Sequence, residues 1–328
     1  MIEKACLDLA KYAFHKLPTG GDEAFYKLLS QSKLHTHEQD GQLTSMVVDT
    51  HFNVYFQGQV VPMSGIGYVA SYPEYRGNGG ASQLITESLK ENYRNKTIFS
   101  YLAPFSYGFY GQFGYQYLFN QKQYEIAATD FPKGKQTDLL AKRLSFIQAK
   151  ADLAIVHQQA DNNGSLYRSA FEWDYYFSFK KQPHFAVFYE DGLPKGYLIY
   201  DFSGMDFIIH EMIYLNEQAK DTVYRFVSSH AGAFEKVKYT APDNTLLEQD
   251  MQEPSRAKIS LLPDMMARIV NLSAFLERFP MTEAKQFTIT DALLPENNLV
   301  FGEGEAVEMA IGEFTKYVMR DVILRDYF

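Results

Sequence analysis

Tyr75-Arg76-Gly77-Asn78-Gly79-Gly80-Ala81 lies between an apolar run and a helical pattern, and the fold is read outward from it. The run before it, Ile66-Gly67-Tyr68-Val69-Ala70, reads as a buried strand. The segment after it, 82–92, places Leu84, Ile85 and Leu89 on one helical face. Three glycines at a strand-to-helix turn reach backbone conformations closed to other residues. They also leave the first amide N–H groups of the helix bare, at the positive end of its dipole, which is a site for phosphate. Arg76 adds a cation with bidentate reach. The spacing is not Gly-x-Gly-x-x-Gly, and no Lys-Ser/Thr follows, so neither a dinucleotide fold nor a nucleotide-hydrolysing loop is indicated. The alternative is a glycine-rich turn that caps a helix and leaves Arg76 solvated.

The pattern Arg76-x-x-Gly79-x-Ala81 resembles the acetyl-CoA pyrophosphate loop of the GNAT superfamily of N-acetyltransferases. A second stretch, Ser100-Tyr101-Leu102-Ala103-Pro104-Phe105-Ser106-Tyr107-Gly108-Phe109-Tyr110-Gly111-Gln112-Phe113-Gly114-Tyr115, carries the order of that superfamily after its cofactor helix: a strand, a short helix bearing a tyrosine, and a Phe-Gly pair. The Pro-Glu-Tyr-Arg-Gly loop, Leu-Ala-Pro-Phe and Tyr-Gly-Gln-Phe-Gly-Tyr together resemble the Eis-like ("enhanced intracellular survival") acetyltransferases. The resemblance implies an α/β (α+β) chain with two GNAT-like domains, each a mixed sheet flanked by helices, followed by a small sterol-carrier-like α+β domain. It implies acetyl-CoA as co-substrate, held by Arg76, Gly77, Asn78, Gly79, Gly80 and Ala81. Backbone N–H groups at Tyr68, Val69 and Ala70 would polarise the acetyl carbonyl, and Tyr110 would protonate the departing thiolate. The C-terminal carboxylate, on Phe328, would accept the amine proton, and no metal is needed. For Tyr110 the alternative is a core aromatic, and for Phe328 a solvated tail.

Composition sets the remaining bounds. At 328 residues the chain suggests two or three domains. Its 46% hydrophobic and 16% aromatic content is ample for packed cores. One cysteine, Cys6, excludes an intramolecular disulfide and reads as a small buried residue of an N-terminal helix. No apolar run approaches a membrane span and no signal peptide is visible, so a cytoplasmic protein is expected. A net charge of −9 with no basic patch argues against nucleic acid and for a small cationic amine, such as a polyamine, an aminoglycoside or a lysine side chain. The resemblance also implies a homo-oligomer, hexameric among relatives. His35 and His37 are spaced to share one side of a strand, where either a metal or a polar loop fits.

Along the chain, residues 1–128 read as the first, CoA-binding domain. It has helices at its start, strands at 46–48, 54–56 and 60–63, and then the strand, loop and helix above. GNAT domains usually open with a strand, whereas this chain begins at a helix, so the sheet edge either lacks that strand or is completed differently. Residues 129–254 read as a second, degenerate GNAT-like domain. Helical or mixed segments are expected at 138–151 and 165–177, strands at 185–189, 196–200 and 207–212, and a helix at 220–233. No Arg-x-x-Gly-x-Gly/Ala loop precedes that helix, so this domain should bind no CoA. Residues 255–328 read as the sterol-carrier-like domain, opening with Met265-Met266-Ala267-Arg268-Ile269-Val270, whose methionines suit core packing or a lipid site. An inactive ligand-binding or regulatory protein on the same scaffold is the second functional reading.

Overall fold

The computed structural model describes residues 2–15, 18–180 and 182–326. In chain order the elements are α1 (Ile2–Phe14), α2 (Gly21–Leu29), β1 (Ser32–Gln39), β2 (Gln42–Phe56), β3 (Gln59–Ser71), α3 (Gly80–Arg94), β4 (Phe99–Leu102), α4 (Tyr107–Gly111) and β5 (Gln116–Tyr117). There follow β6 (Asn120–Ala127), β7 (Leu140–Leu144), α5 (Phe146–Gln159), α6 (Ala170–Asp174), β8 (His184–Glu190), β9 (Leu193–Ser203), β10 (Asp206–Tyr214), α7 (Glu217–Ser228), β11 (Lys236–Pro242) and β12 (Lys258–Pro263). The chain closes with β13 (Met266–Ile269), α8 (Leu272–Arg278), β14 (Lys285–Thr290), β15 (Leu299–Phe301), β16 (Glu305–Ala310) and α9 (Ile311–Val318).

These elements gather into two compact units, neither contiguous in sequence: residues up to 119 with 264–322, and residues 120–263 with 323–326. The grouping does not follow boundaries at 128 and 254, and strand pairing is the reason. β6 joins β11 and β12 in the second unit's sheet, while β13 leaves the segment it follows and inserts between β4 and β5 of the first.

In the first unit the six-stranded sheet runs β1-β2-β3-β4-β13-β5, and β1 forms one edge. β2 and β3 are antiparallel, and β3 and β4 are parallel. The apolar stripe of α3, namely Leu84, Ile85 and Leu89, closes over Val47, Ile66 and Leu102 to make the core beneath the glycine loop. A three-stranded sheet, β15-β14-β16, completes this unit. The pairs 46–48 with 54–56, and 60–63 with 66–70, prove to be stretches of two long strands, β2 and β3. Met265 and Met266 are 1% and 3% exposed, so the methionines pack in the core rather than present a face to lipid.

The second unit has a seven-stranded sheet, β12-β6-β11-β10-β9-β8-β7. Here the segment expected as helical or mixed over 138–151 is mixed: it begins as β7, and α5 follows. β7 is an edge strand with most of its residues exposed, so it carries no alternating apolar signal. In 165–177, α6 runs into a π-helical turn, Tyr175–Lys180. Cys6, within α1, is fully buried, and that burial pushes its thiol up to about 11, away from any nucleophilic role.

Candidate active site

The site begins with a flaw in a ladder. β2 and β3 pair in register until Val48↔Gly67, and then Met46 pairs with Ala70, so Tyr68 and Val69 together oppose Val47. This is a β-bulge. Tyr68 takes a φ of 48°, a left-handed conformation unusual for a side-chain-bearing residue. Its ring is wedged edge-on against Phe14 and Phe25, at 5.8 and 5.0 Å, which holds the conformation in place. The parallel ladder between β3 and β4 ends at Ile66↔Leu102, although β3 itself runs on to Ser71. Among the described residues no strand pairs with the β4-facing edge of Gly67–Ser71. Tyr68, Val69 and Ala70, the residues expected to offer N–H groups, all lie in that stretch of β3.

β3 leads through a 3-10 turn, Pro73–Tyr75, into the glycine loop. Gly77 and Gly79 sit at φ 87° and 83°, the left-handed region that favours glycine. Gly79 is the N-cap of α3 and has no side chain to satisfy the helix amides; the first turn of α3 also lacks an acidic residue. A Cβ at Gly77 or Gly79 would meet nothing within 4 Å, so the loop's outer face is open. At Gly80 the opposite holds: a Cβ would stand 2.7 Å from Ser45 Oγ, because the helix start packs directly on β2. Arg76 is exposed and makes no ion pair among the described residues. Bare amides, an uncompensated dipole and a free guanidinium fit a pyrophosphate. The corresponding helix of the second unit differs in its cap and in the charge of its first turn. Asn216 caps α7 by accepting the Ala219 N–H at 2.8 Å, and Glu217 occupies its first turn.

Tyr110 comes from α4, the short helix that follows β4. α4 is capped by Ser106, whose hydroxyl accepts the Phe109 N–H at 3.3 Å, and Phe113 N–H closes the following turn on the Tyr110 carbonyl at 3.0 Å. Tyr110 belongs to the same packed cluster as Ile66 and Leu102, where the two strands part, and Val69 of the bulge packs against that cluster. Burial pushes the phenol above its ordinary pKa, so it stays protonated at neutral pH. Its hydroxyl makes no hydrogen bond among the described residues. Phe328, expected to supply the base, lies outside the described residues.

Some residues with special environments escaped the sequence reading. Asp49 on β2 is buried beneath α3, where its carboxylate accepts Ser64 Oγ at 2.6 Å, Ser88 Oγ at 2.7 Å and Asn92 Nδ2 at 2.5 Å. Beyond Ser64 lie Ser100 and the Tyr115 hydroxyl. The available signal was a single carboxylate inside an apolar strand. Arg268, on β13, is fully buried and paired with Asp291 at 2.5 Å. The two histidines are not gathered for a metal: His37 Nδ1 is 2.7 Å from Thr44 Oγ1, whereas His35 is buried 4.0 Å from Asp49. Among the described residues no group of three His, Cys, Asp or Glu side chains could hold an ion. Nor is any described helix long and apolar enough to cross a membrane.

A strand bulged where its parallel neighbour ends, followed by an uncapped glycine loop and helix, defines an acetyltransferase of the GNAT superfamily, and the chain belongs to that superfamily. Residues 3–118 match one acetyltransferase (GNAT) domain family and residues 164–269 match another of the same description. A structure from Enterococcus faecalis V583, of a conserved protein of unknown function described as a probable N-acyltransferase, is 33% identical with a TM-score of 0.90, covering 99% of this chain and 97% of that one. A GCN5-related N-acetyltransferase from Anabaena variabilis shares the fold at 19% identity and a TM-score of 0.84, over 100% of this chain and 97% of its own. Eis1 from Mycobacterium abscessus does so at 16% and 0.77, over 96% and 86%. No curated protein matches the sequence.

Proposed function

We propose that this protein is an Eis-like N-acetyltransferase that moves the acetyl group of acetyl-CoA directly to a primary amine of a cationic substrate, of the polyamine, aminoglycoside or lysine type. The observation that carries the reading is the junction of the Tyr68–Val69 bulge with the uncapped start of α3. One cradles a pyrophosphate, and the other offers strand amides where a thioester carbonyl becomes an oxyanion. The Arg76 guanidinium and the amides of Gly77–Ala81 hold the phosphates. Tyr68, Val69 and Ala70 supply the oxyanion donors. Tyr110, kept protonated by burial, donates to the departing thiolate as the carbon–sulfur bond breaks. The attacking amine loses its proton toward the Phe328 carboxylate, since a primary amine is mostly charged at neutral pH. The net charge of −9 favours a cationic acceptor. We further assign the protein to the cytoplasm as a homo-oligomer, and the segment after 254 to a sterol-carrier-like region.

Thiol release from acetyl-CoA with a panel of polyamines, aminoglycosides and lysine peptides tests this. Amine-dependent turnover is expected in the native chain. Tyr110→Phe should lower kcat about 100-fold with CoA affinity unchanged, the usual scale for a general acid. Removal of Phe328 should abolish turnover while leaving CoA bound. CoA binding without turnover on any amine would overturn the enzymatic reading, and equal rates in Tyr110→Phe would dismiss that residue as the acid.

A further inference from the structure

We propose that Arg268 is a positioning residue for Tyr110: a fully buried guanidinium that sets the end of α4 and thereby the phenol. The inference rests on Tyr110 acting as the acid. Arg268 comes from the Met-Met-Ala-Arg-Ile-Val run, which the reading of the phosphate loop leaves without a role. Its side chain is 0% exposed and its three nitrogens have three destinations. Nε donates to the Ile269 carbonyl at 3.0 Å, Nη2 donates to Asp291 at 2.5 Å, and Nη1 donates to the Phe113 carbonyl.

Asp291 cannot swing away. One of its oxygens accepts the amides of Leu293 and Leu294 at 3.0 and 3.1 Å, and the other also takes Asn297 Nδ2 at 2.9 Å. The guanidinium is thus anchored at two points and presents the third, a planar fork that lysine cannot copy. What it grips is the turn directly after the phenol. The Phe113 and Gly114 amides close on the Tyr110 and Gly111 carbonyls, each at 3.0 Å, so moving the Phe113 carbonyl turns the last part of α4. α4 is five residues long, too short to hold its own orientation, so contacts from outside set it. Gly114 makes the grip possible. At φ 81°, its absent Cβ would lie 3.0 Å from Arg268 Nη1 and 3.1 Å from Ile311 Cγ2. The phosphate loop hangs on β3 and α3, which Arg268 does not hydrogen-bond among the described residues.

The separation of elements gives the test. Arg268→Lys keeps the charge beside Asp291 but not the fork. Arg268→Met combined with Asp291→Asn removes the pair without stranding a buried charge, which protects folding. Each is made with and without Tyr110→Phe. Thiol release from acetyl-CoA is followed with the amine that the native chain turns over fastest, and CoA binding by calorimetry. Both variants should lose about 10- to 100-fold in kcat, the scale of a sub-ångström misplacement. KM for acetyl-CoA and the CoA Kd should stay within about twofold, and adding Tyr110→Phe should cost almost nothing more, because the two residues act as a unit. Equal losses in the parent and Tyr110→Phe backgrounds would overturn the inference, as would a matching fall in CoA affinity or an unchanged kcat. Full activity of Tyr110→Phe alone would remove the acid role, and the positioning role with it.

Discussion

Gly79 carries the backbone geometry on which the proposed anion site depends. It holds a φ of 83° at the uncapped start of α3, and no atom lies within 4 Å of where a Cβ would project. A Gly79→Ala change therefore meets a conformational cost rather than a clash, about 1–2 kcal/mol for a left-handed alanine. If the loop relaxes to escape that cost, the amides leave the phosphates. CoA binding should weaken about tenfold, equivalent to 1.4 kcal/mol, while kcat at saturating acetyl-CoA stays near the parent value. Titration of CoA into the two proteins decides it, and equal Kd values would mean that the loop does not hold the phosphates. Residues of this kind were legible in sequence because their chemistry is local: seven consecutive positions contain the whole device. Asp49 was not, since its three donors lie 15, 39 and 43 positions away. Arg268 was read only as part of a methionine-rich run, because Phe113 stands 155 positions before it.

At the scale of elements, α5 carries a pH-dependent term into the second unit's core. His157, near its end, is 1% exposed, edge-on to Trp173 at 5.6 Å. Burial, reinforced by the charge of Arg168, pushes its pKa down to about 3. In the unfolded chain it titrates near 6.5. Between those values the unfolded state binds a proton that the folded state refuses, so stability falls as pH drops, by up to about 1.4 kcal/mol per unit. Burial raises the Asp326 carboxyl, which acts in the opposite direction as pH falls. Arg168 bridges Glu211 and Asp326, and Glu211 keeps its charge down to about 2. His35 in β1 is lowered by burial too and acts in the same direction, so the difference between proteins is what matters. Thermal unfolding at pH 7, 6 and 5 should show a shallower decline for His157→Gln than for the parent. Parallel declines would sink the assignment. The elements themselves were legible where periodicity was strong, as in α3 and the strand preceding its loop. They blurred where burial was weak: β7 is an exposed edge, so its segment reads only as helical or mixed.

At the scale of the molecule, the segment after 263 presents a question that sequence order cannot answer, because strand insertion is a non-local event. Read along the chain, it has its own strands and helices and looks separable. In the fold, β13 lies between β4 and β5 and pairs with both. The side chains that β13 and its two flanking residues bury include Met265, Met266, Ile269 and Val270, each at most 3% exposed. At about 1.5–3 kcal/mol per side chain, these four alone are on the order of the net stability of a whole domain, about 5–15 kcal/mol. β13 also carries Arg268, so its loss would free the turn after Tyr110. A chain ending at Pro263 keeps every strand of the seven-stranded sheet but leaves a gap in the six-stranded one. It should bind no CoA and show no cooperative unfolding of the first unit, although the phosphate loop is intact in its sequence. Titration with CoA and differential scanning calorimetry on the shortened chain test both halves of that statement. Native-like CoA affinity in the shortened chain would mean that β13 is an appendage and that the first sheet closes without it. Loss of binding, restored when residues 264–328 are supplied as a separate chain, would mean that the cofactor site is assembled from both ends of the sequence.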